Sequence, residues 1–218
     1  MSITVYGFWR SIATFRVRVA LRIKGLAFDE IPIDILSGEQ FKTDYEAVNA
    51  ERVVPTFVHD GHSLFQSLAI IEYLDDIQPN PRLLPAEYED RAYARSLALV
   101  TVADAHPLVV PRVRNHLANT FGADARVIEA WAKHWTTEGL ATYERLLAGR
   151  APAPFALGAE PGIADICIAG QVISAHFINL DLSAFPVVAG LAERCFAIPA
   201  FAKSHPFEQP GFKAASAH

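Results

Sequence analysis

The sequence predicts a small α/β domain followed by an all-helical one, and three observations carry that prediction. Up to residue 78, short β-rich runs alternate with helix-period segments in the order β-α-β-α-β-β-α. The run Gln78-Pro79-Asn80-Pro81-Arg82-Leu83-Leu84-Pro85 then places three prolines where no helix can continue. Beyond it every patterned segment is helical. The expected organisation is an α/β domain over 1–78, a linker over 79–86 and a helical domain over 87–218. With 218 residues, 51 % of them apolar, the chain holds enough side chains for real cores, which excludes a disordered or disulfide-stapled protein.

In the first part, ITVYGF (3–8) is a short strand, and Ser11 opens a helix-period segment, SIATFRVRVALRIK. In that segment Ile12, Phe15, Val19 and Ile23 fall along one side and Gly25 stands where a terminating glycine belongs. FDEIPIDI (28–35) reads as a second strand and FKTDYEAVN (41–49) as a short polar helix. VVPTFVHD (53–60) is a third strand carrying Pro55. After an Asp60-Gly61 turn, HSLF (62–65) leads into the helix QSLAIIEYLDDI (66–77). In the second part, residues 89–117 form a long helical pattern interrupted by Pro107 and Pro111. Residues 126–149 place Val127, Trp131, Trp135, Leu146 and Leu147 on related turns. IADICIAGQVISAHF (163–177) and LAERCFAIPAFAKSHP (191–206) supply two more helices, and the Ala/Ser-rich tail after Gly211 is expected to fray.

The net charge of −5 is spread evenly, with 8 basic and 11 acidic side chains up to residue 85 and 11 and 13 after it. No basic stripe is available to neutralise phosphates, so nucleic acid is not the expected partner. The apolar runs, such as LALVTVA (97–103), fall short of the roughly 18 residues of a membrane span, and the N-terminus lacks a secretory pattern, so neither membrane insertion nor export is expected and the protein reads as cytoplasmic. Cys167 and Cys195 lie in apolar helical patterns without CxxC spacing, as buried free thiols do; a metal site or a disulfide is the lesser alternative.

Three features point toward chemistry. Pro55 stands at the start of a predicted strand, where a proline is either an ordinary edge residue or a cis proline that turns the preceding backbone N–H and C=O toward a ligand. The surrounding β-α-β-Pro-β-β-α order is that of a thioredoxin-like fold, whose proline at this point is cis. Ser11 and the pair Gln66-Ser67 stand at two helix starts. Each serine is either a cap, worth about 1 kcal/mol, or part of an anion site built from unpaired N–H groups and the helix dipole. Together they describe a site for an extended peptide with a carboxylate at one end and a thiolate at the other.

RSIATFRVRVALRIKG (10–25) resembles the glutathione transferase superfamily and, within it, the zeta class, whose signature runs R-S-S-C-x-x-R-V-R-I-A-L. The similarity continues through SGEQF (37–41), N-x-x-x-x-V-P (49–55), LFQSLAIIEYLDD (64–76), PRLLP (81–85), RAYARSLA (91–98), HPL (106–108), ADICIAGQV (164–172) and HPFEQP (205–210), nearly the whole chain. The resemblance implies a thioredoxin-like glutathione-binding domain followed by a helical bundle that takes the acceptor substrate. It implies that Ser11 is the catalytic serine, donating to the glutathione sulfur and holding it as thiolate. A free thiol ionises at a pKa of about 8.5, and lowering that by about two units takes roughly 2.7 kcal/mol. The helix dipole supplies about 0.3–2 kcal/mol and a hydrogen bond to a charged sulfur about 1.5–3, so the two together suffice.

By the same correspondence the Val54 backbone pairs with the cysteinyl backbone of glutathione, Gln66 and Ser67 hold its γ-glutamyl end, and Gln40 and His106 make further contacts. The alternative for Val54 is a core valine, and for His106 a residue that ties up a carbonyl freed by Pro107. Asp165 matches the superfamily's helix-start aspartate, a folding role, and Pro55 is likewise structural. Arg10 and Arg112 match two positions that bind the dianionic substrates of the zeta-class isomerases, although a solvated surface position is the alternative for Arg112. No metal is implied, and a two-fold homodimer is expected.

The departures bear on substrate. Ile12-Ala13 replaces Ser-Cys, Val53 replaces Gln, Val110 replaces Asn, and Phe177 stands where the class has an arginine, which makes that wall apolar. They favour glutathione transfer to a less charged electrophilic small molecule. The alternatives are glutathione-dependent cis-trans isomerisation of maleylacetoacetate or maleylpyruvate, and a non-catalytic binding protein that keeps the fold.

Overall fold

The computed structural model describes residues 2–215. The chain forms two compact units. One holds everything up to Leu84 together with the segment from Ile198 onward; the other is Pro85–Ala197. The end of the chain therefore departs from the expected helical domain over 87–218, for a physical reason given below.

The first unit is built on a four-stranded sheet of order β2-β1-β3-β4, with β1 Ile3–Gly7, β2 Asp29–Pro32, β3 Thr56–His59 and β4 His62–Phe65. β1 and β2 are parallel and need a crossover, which α1 (Ile12–Ile23) supplies; the other pairs are antiparallel. A 3₁₀ turn over Glu39–Phe41 and α2 (Thr43–Val48) replace the single short helix expected there, and α3 (Ser67–Ile77) follows β4. β2 is shorter than its sequence suggests, and β3 begins only after Pro55, whose missing N–H cannot join the ladder. α1 packs against α3, burying Phe15, Val19, Leu21, Ile70, Ile71 and Leu74, with Val5 and Phe57 contributed by the sheet.

Buried among those apolar groups are three cations that an amphipathic reading does not anticipate: Arg16 and Arg18 of α1 and Lys24, its C-cap. The Lys24 ammonium donates to Asp75 Oδ1 at 2.5 Å, Gln78 O at 2.7 Å and Pro81 O at 2.5 Å. Asp75 in turn accepts the Leu83 and Leu84 amides at 2.7 and 3.3 Å. One ion pair thus ties the end of α1, the end of α3 and the proline-rich run together, so this run is a fastened strap as far as Leu84.

The segment from Ile198 returns to the first unit because its apolar and polar groups match α1. It contains α10 (Pro199–Ala202), whose Phe201 meets the Phe15 ring edge-on, and Ser204, which accepts from Arg22 at 3.1 Å. Gln209 braces the closing HPFEQP motif by donating to Lys203 O and His205 O at 2.9 and 2.8 Å. The tail expected to fray from Gly211 is helical over α11 (Pro210–Ala215), and Phe212 stacks on Trp9 with ring centroids 5.6 Å apart. A Cβ at Gly211 would stand 2.5 Å from Trp9 Cδ1, so only glycine permits this approach. Residues 216–218 of that tail lie outside the described residues.

The second unit is a helical bundle: α4 (Tyr88–Leu99), α5 (His106–Val109), α6 (Pro111–Phe121), α7 (Ala125–Ala148), α8 (Ile163–His176) and α9 (Pro186–Phe196). α8 is buried from Ile163 to Ala175 and is packed by α4, α7 and α9. A π-helical turn over Val100–Ala105, invisible to periodicity, widens the backbone just before the HPL motif. There the Tyr143 hydroxyl donates to Leu97 O at 2.7 Å and accepts the Thr101 N–H at 3.2 Å, restoring the bonds the wide turn breaks. Of the residues that the pattern of α7 places on related turns, Val127 and Leu146 are exposed. By length and composition alone, one helical stretch of the described residues, Tyr88–Phe121, is long and apolar enough to cross a membrane. It is broken at Val110, whose backbone is extended, and α4 packs on α8 within the bundle.

Asp165 sits in the first turn of α8, accepting the Gly162 N–H at 2.9 Å and the Ala156 N–H at 2.8 Å. Burial pushes its carboxyl up to about 6 against the pull of those amides. Both cysteines are free and buried, and burial raises the Cys195 thiol.

Two measurements follow from these buried charges. Asp75→Ala strands the Lys24 ammonium and two amides and should cost about 3–5 kcal/mol in denaturant unfolding; a loss below about 1 kcal/mol would show that water replaces the carboxylate. Asp165 is protonated in both states below pH 4, and above pH 6 only the folded state bears the cost of a buried carboxylate. The wild type should therefore gain about 3 kcal/mol relative to Asp165→Asn when unfolding is measured at pH 3 instead of pH 7, and equal differences at the two pH values would refute the raised carboxyl.

Candidate active site

The register of the sheet brings three chain segments to one end. Tyr6 pairs with Thr56 and Thr56 with Phe65, so the residues that follow β1, precede β3 and follow β4 emerge side by side. They carry Arg10 and Ser11, Val54 and Pro55, and Gln66 and Ser67. β2 brings a fourth segment: Ile33 N–H donates to Gly7 O at 2.8 Å, and the chain beyond it reaches Gln40 in the 3₁₀ turn.

Ser11 is the N-cap of α1. Its backbone is extended, and its Oγ accepts the Thr14 N–H at 3.2 Å. Accepting through oxygen, the half-buried hydroxyl keeps its proton to donate, at the positive end of a 12-residue helix. Its own N–H donates to Phe8 O at 3.0 Å. Arg10, next to it, is exposed.

The Val54–Pro55 peptide is cis. The loop before it is held from beneath by Tyr45, whose hydroxyl donates to Val53 O at 2.5 Å, and by Asn49, whose amide donates to Val53 O and Thr56 Oγ1 at 3.0 and 2.9 Å. Burial raises the Tyr45 hydroxyl above its usual range, which keeps it a neutral donor. Among the described residues nothing bonds to the Val54 N–H or C=O, so this peptide edge is available to an extended partner.

The third segment corrects one expectation. Gln66, not Ser67, is the N-cap of α3, with φ at +68° and no side-chain bond to the helix amides. A non-glycine residue held there costs about 1–3 kcal/mol. Its amide instead donates to both carboxylate oxygens of Glu51, at 2.8 and 3.1 Å. Ser67 is the first helical residue, is buried, and its Oγ accepts from Arg16 Nε at 2.9 Å. The leading amides of α3 thus lack a side-chain cap, as an anion site requires. Gln40 donates to Ile35 O at 3.3 Å, while its buried Oε1 has no hydrogen-bond partner among the described residues.

Glu51, Tyr45, Asn49, Arg16 and Arg18 shape this site and are given no role by the sequence reading, although Arg16, Arg18 and Asn49 stand inside the motifs quoted above. The available signal is the pair of arginines flanking Val17 in a helix with no solvent face. One reaches the start of α3, the other the β1–α1 loop.

In the second unit His106 opens α5, half-buried, and its N–H bonds to Thr101 O across the π turn. Leu97 O is served there by Tyr143. Arg112 is exposed in the first turn of α6, and Phe177 is the half-buried C-cap of α8. No group of three or more His, Cys, Asp or Glu suited to a metal occurs among the described residues.

Comparison with known proteins matches residues 1–76 to the glutathione S-transferase N-terminal domain and residues 125–194 to the C-terminal domain of the same enzymes. A probable maleylacetoacetate isomerase of Vibrio cholerae is 35 % identical over 212 residues, 96 % of this chain and 98 % of that one. A maleylacetoacetate isomerase from Methylobacterium extorquens AM1, solved with malonate and glutathione, superposes with a TM-score of 0.92 at 40 % identity over 95 % of this chain and 98 % of that one. The holo structure of a maleylpyruvate isomerase, a bacterial zeta-class glutathione S-transferase, gives a TM-score of 0.93 at 35 % identity over the same shares. With the two domain matches in order and relatives similar from end to end, the chain belongs to the zeta class of the glutathione S-transferase family of enzymes.

Proposed function

We propose that the protein is a glutathione-dependent cis-trans isomerase of a small maleyl-type dianion such as maleylpyruvate or maleylacetoacetate. The observation that carries the reading is the Ser11 hydroxyl, a helix-capping donor with its proton unspent, on the same sheet end as the Val54–Pro55 edge and the uncapped start of α3. Support for the substrate comes from the relatives: maleylacetoacetate and maleylpyruvate isomerases over nearly their whole length.

The residues present fit glutathione. Its extended backbone suits the unpaired Val54 N–H and C=O and its γ-glutamyl carboxylate the first amides of α3 beside Gln66 and Ser67, and the class resemblance assigns Gln40 a further contact. Bound glutathione supplies a thiolate that adds reversibly to an activated double bond, which then turns as a single bond before the sulfur departs. Ser11 donates its proton toward the sulfur and lowers the thiol's pKa with the help of the α1 dipole. The class resemblance assigns Arg10 and Arg112 to the substrate carboxylates and His106 to a further glutathione contact. Nothing is oxidised or reduced, and no metal is called for. A cytoplasmic two-fold homodimer accompanies this reading, on family membership alone.

A second reading, conjugation of glutathione to a less charged electrophile, is favoured by one observation: Phe177 stands where a third arginine would serve a dianion. Parallel assays separate the two. Maleylpyruvate or maleylacetoacetate should turn over with catalytic glutathione, and an aryl halide slowly; the reverse ranking would overturn the isomerase. Ser11→Ala should leave glutathione binding nearly unchanged while raising the bound thiol's pKa by about one to two units, read from thiolate absorbance. An unshifted titration would remove Ser11 from the mechanism.

A further inference from the structure

We infer that Arg18, held by Glu30, is a positioning residue for the Ser11 hydroxyl and so governs the ionisation of the bound thiol without touching it. This rests on the reading of Ser11 above. Arg18 is 1 % exposed and forms a forked pair with the Glu30 carboxylate, its Nε donating to Oε2 at 2.8 Å and a terminal nitrogen to Oε1. A guanidinium needed only for that pair would direct its remaining N–H groups to water. Here they point at the β1–α1 loop, one to Trp9 O at 3.3 Å and one to Phe8 O at 3.4 Å.

Phe8 O is the carbonyl that receives the Ser11 N–H, and the Phe8 N–H faces Thr14 Oγ1 at 3.5 Å. Thr14 in turn donates its N–H to Ser11 Oγ. Phe8, Ser11 and Thr14 thus close a ring of hydrogen bonds, and Arg18 is the rigid body that fixes its open side to β2 through Glu30. The site leaves no slack, for a Cβ at Gly7 would lie 2.5 Å from Thr14 Cγ2 and 2.8 Å from Glu30 Oε1. A single ammonium in place of the guanidinium cannot serve a carboxylate and two carbonyls in one plane. Hydrogen bonds to a thiolate depend steeply on donor placement, so a loosened loop weakens ionisation before it weakens binding.

The test uses Arg18→Lys and Glu30→Gln in the full-length protein, with and without Ser11→Ala. In the Ser11 background each variant should lower kcat about tenfold and raise the bound thiol's pKa, while the Kd of glutathione changes less than threefold. With Ser11→Ala already present, neither should shift the thiol further, because a group acting through Ser11 has nothing left to position. Lower melting temperature with kcat and thiol pKa unchanged would make the pair merely structural and overturn the inference, as would full additivity with Ser11→Ala. Glu30→Gln keeps the shape of the acceptor and remains informative if Arg18→Lys folds poorly. If Ser11→Ala alone leaves the thiol unshifted, the mechanism above fails first, and the two failures are distinct.

Discussion

The pairing of Thr56 with Tyr6 on one side and Phe65 on the other is the constraint on which the chemistry of the first unit depends. Strands repeat every two residues, so a slip of one position in either ladder would turn Thr56 out of the core. It would also carry the Val54–Pro55 edge away from Ser11 or from the start of α3. Thr56 is guarded against slippage twice over. It is fully buried, and its hydroxyl oxygen lies 2.9 Å from the Asn49 amide and 2.8 Å from the Tyr45 hydroxyl. The side chains that lock the ladder are therefore the ones that shape the loop, and register and site geometry are a single property.

Around that register the molecule uses buried cations where an ordinary core would use aliphatic groups. Arg16, Arg18 and Lys24 project from one helix and its C-cap, and each ends on a group outside it: Ser67, the Phe8–Trp9 carbonyls with Glu30, and Asp75 with the strap before Leu84. Burying charge is costly, and such pairs often add little net stability over apolar replacements. Their effect is directional. An aliphatic contact tolerates sliding by a fraction of an ångström, whereas a guanidinium fork does not. Loops that must hold a donor in place have no ladder of their own, and α1 gives them one.

This also explains what was legible in the sequence. HSLF and the apolar face of α3 were readable because alternation, turn residues and helical spacing agree locally. Ser11 was readable as a cap, since a hydroxyl ahead of an apolar-periodic run has a local purpose. Ser67 looked the same and is not a cap; its hydroxyl oxygen accepts from Arg16, 51 positions away in sequence, which no local pattern records. The buried arginines were hidden because charge argues for solvent, and only the partners show otherwise. The segment after Ile198 read as more of the helical domain because its helices have the same period; what assigns it to the first unit is Phe201 on Phe15 and Phe212 on Trp9. The π turn was hidden because a single extra residue leaves the hydropathy pattern on either side intact.

The division of labour within the chain bears on how far Phe177 can influence the outcome. Transfer and isomerisation share everything up to formation of the carbon–sulfur bond and differ in which group leaves afterwards. An aryl halide expels halide and keeps the sulfur; an activated double bond has no such group, so the bond that formed is the one that breaks. Which path follows is decided by the acceptor's own structure; on the proposed mechanism Ser11 would stabilise the same anionic sulfur in both. An apolar residue in place of an arginine acts on selection of the acceptor, because a dianion loses one counter-charge while a neutral molecule loses nothing. On the proposed reading the first unit makes the nucleophile without regard to its target, and specificity would fall to the residues that meet the acceptor's carboxylates, a part that the class resemblance assigns to Arg10 and Arg112 and that Phe177 cannot play.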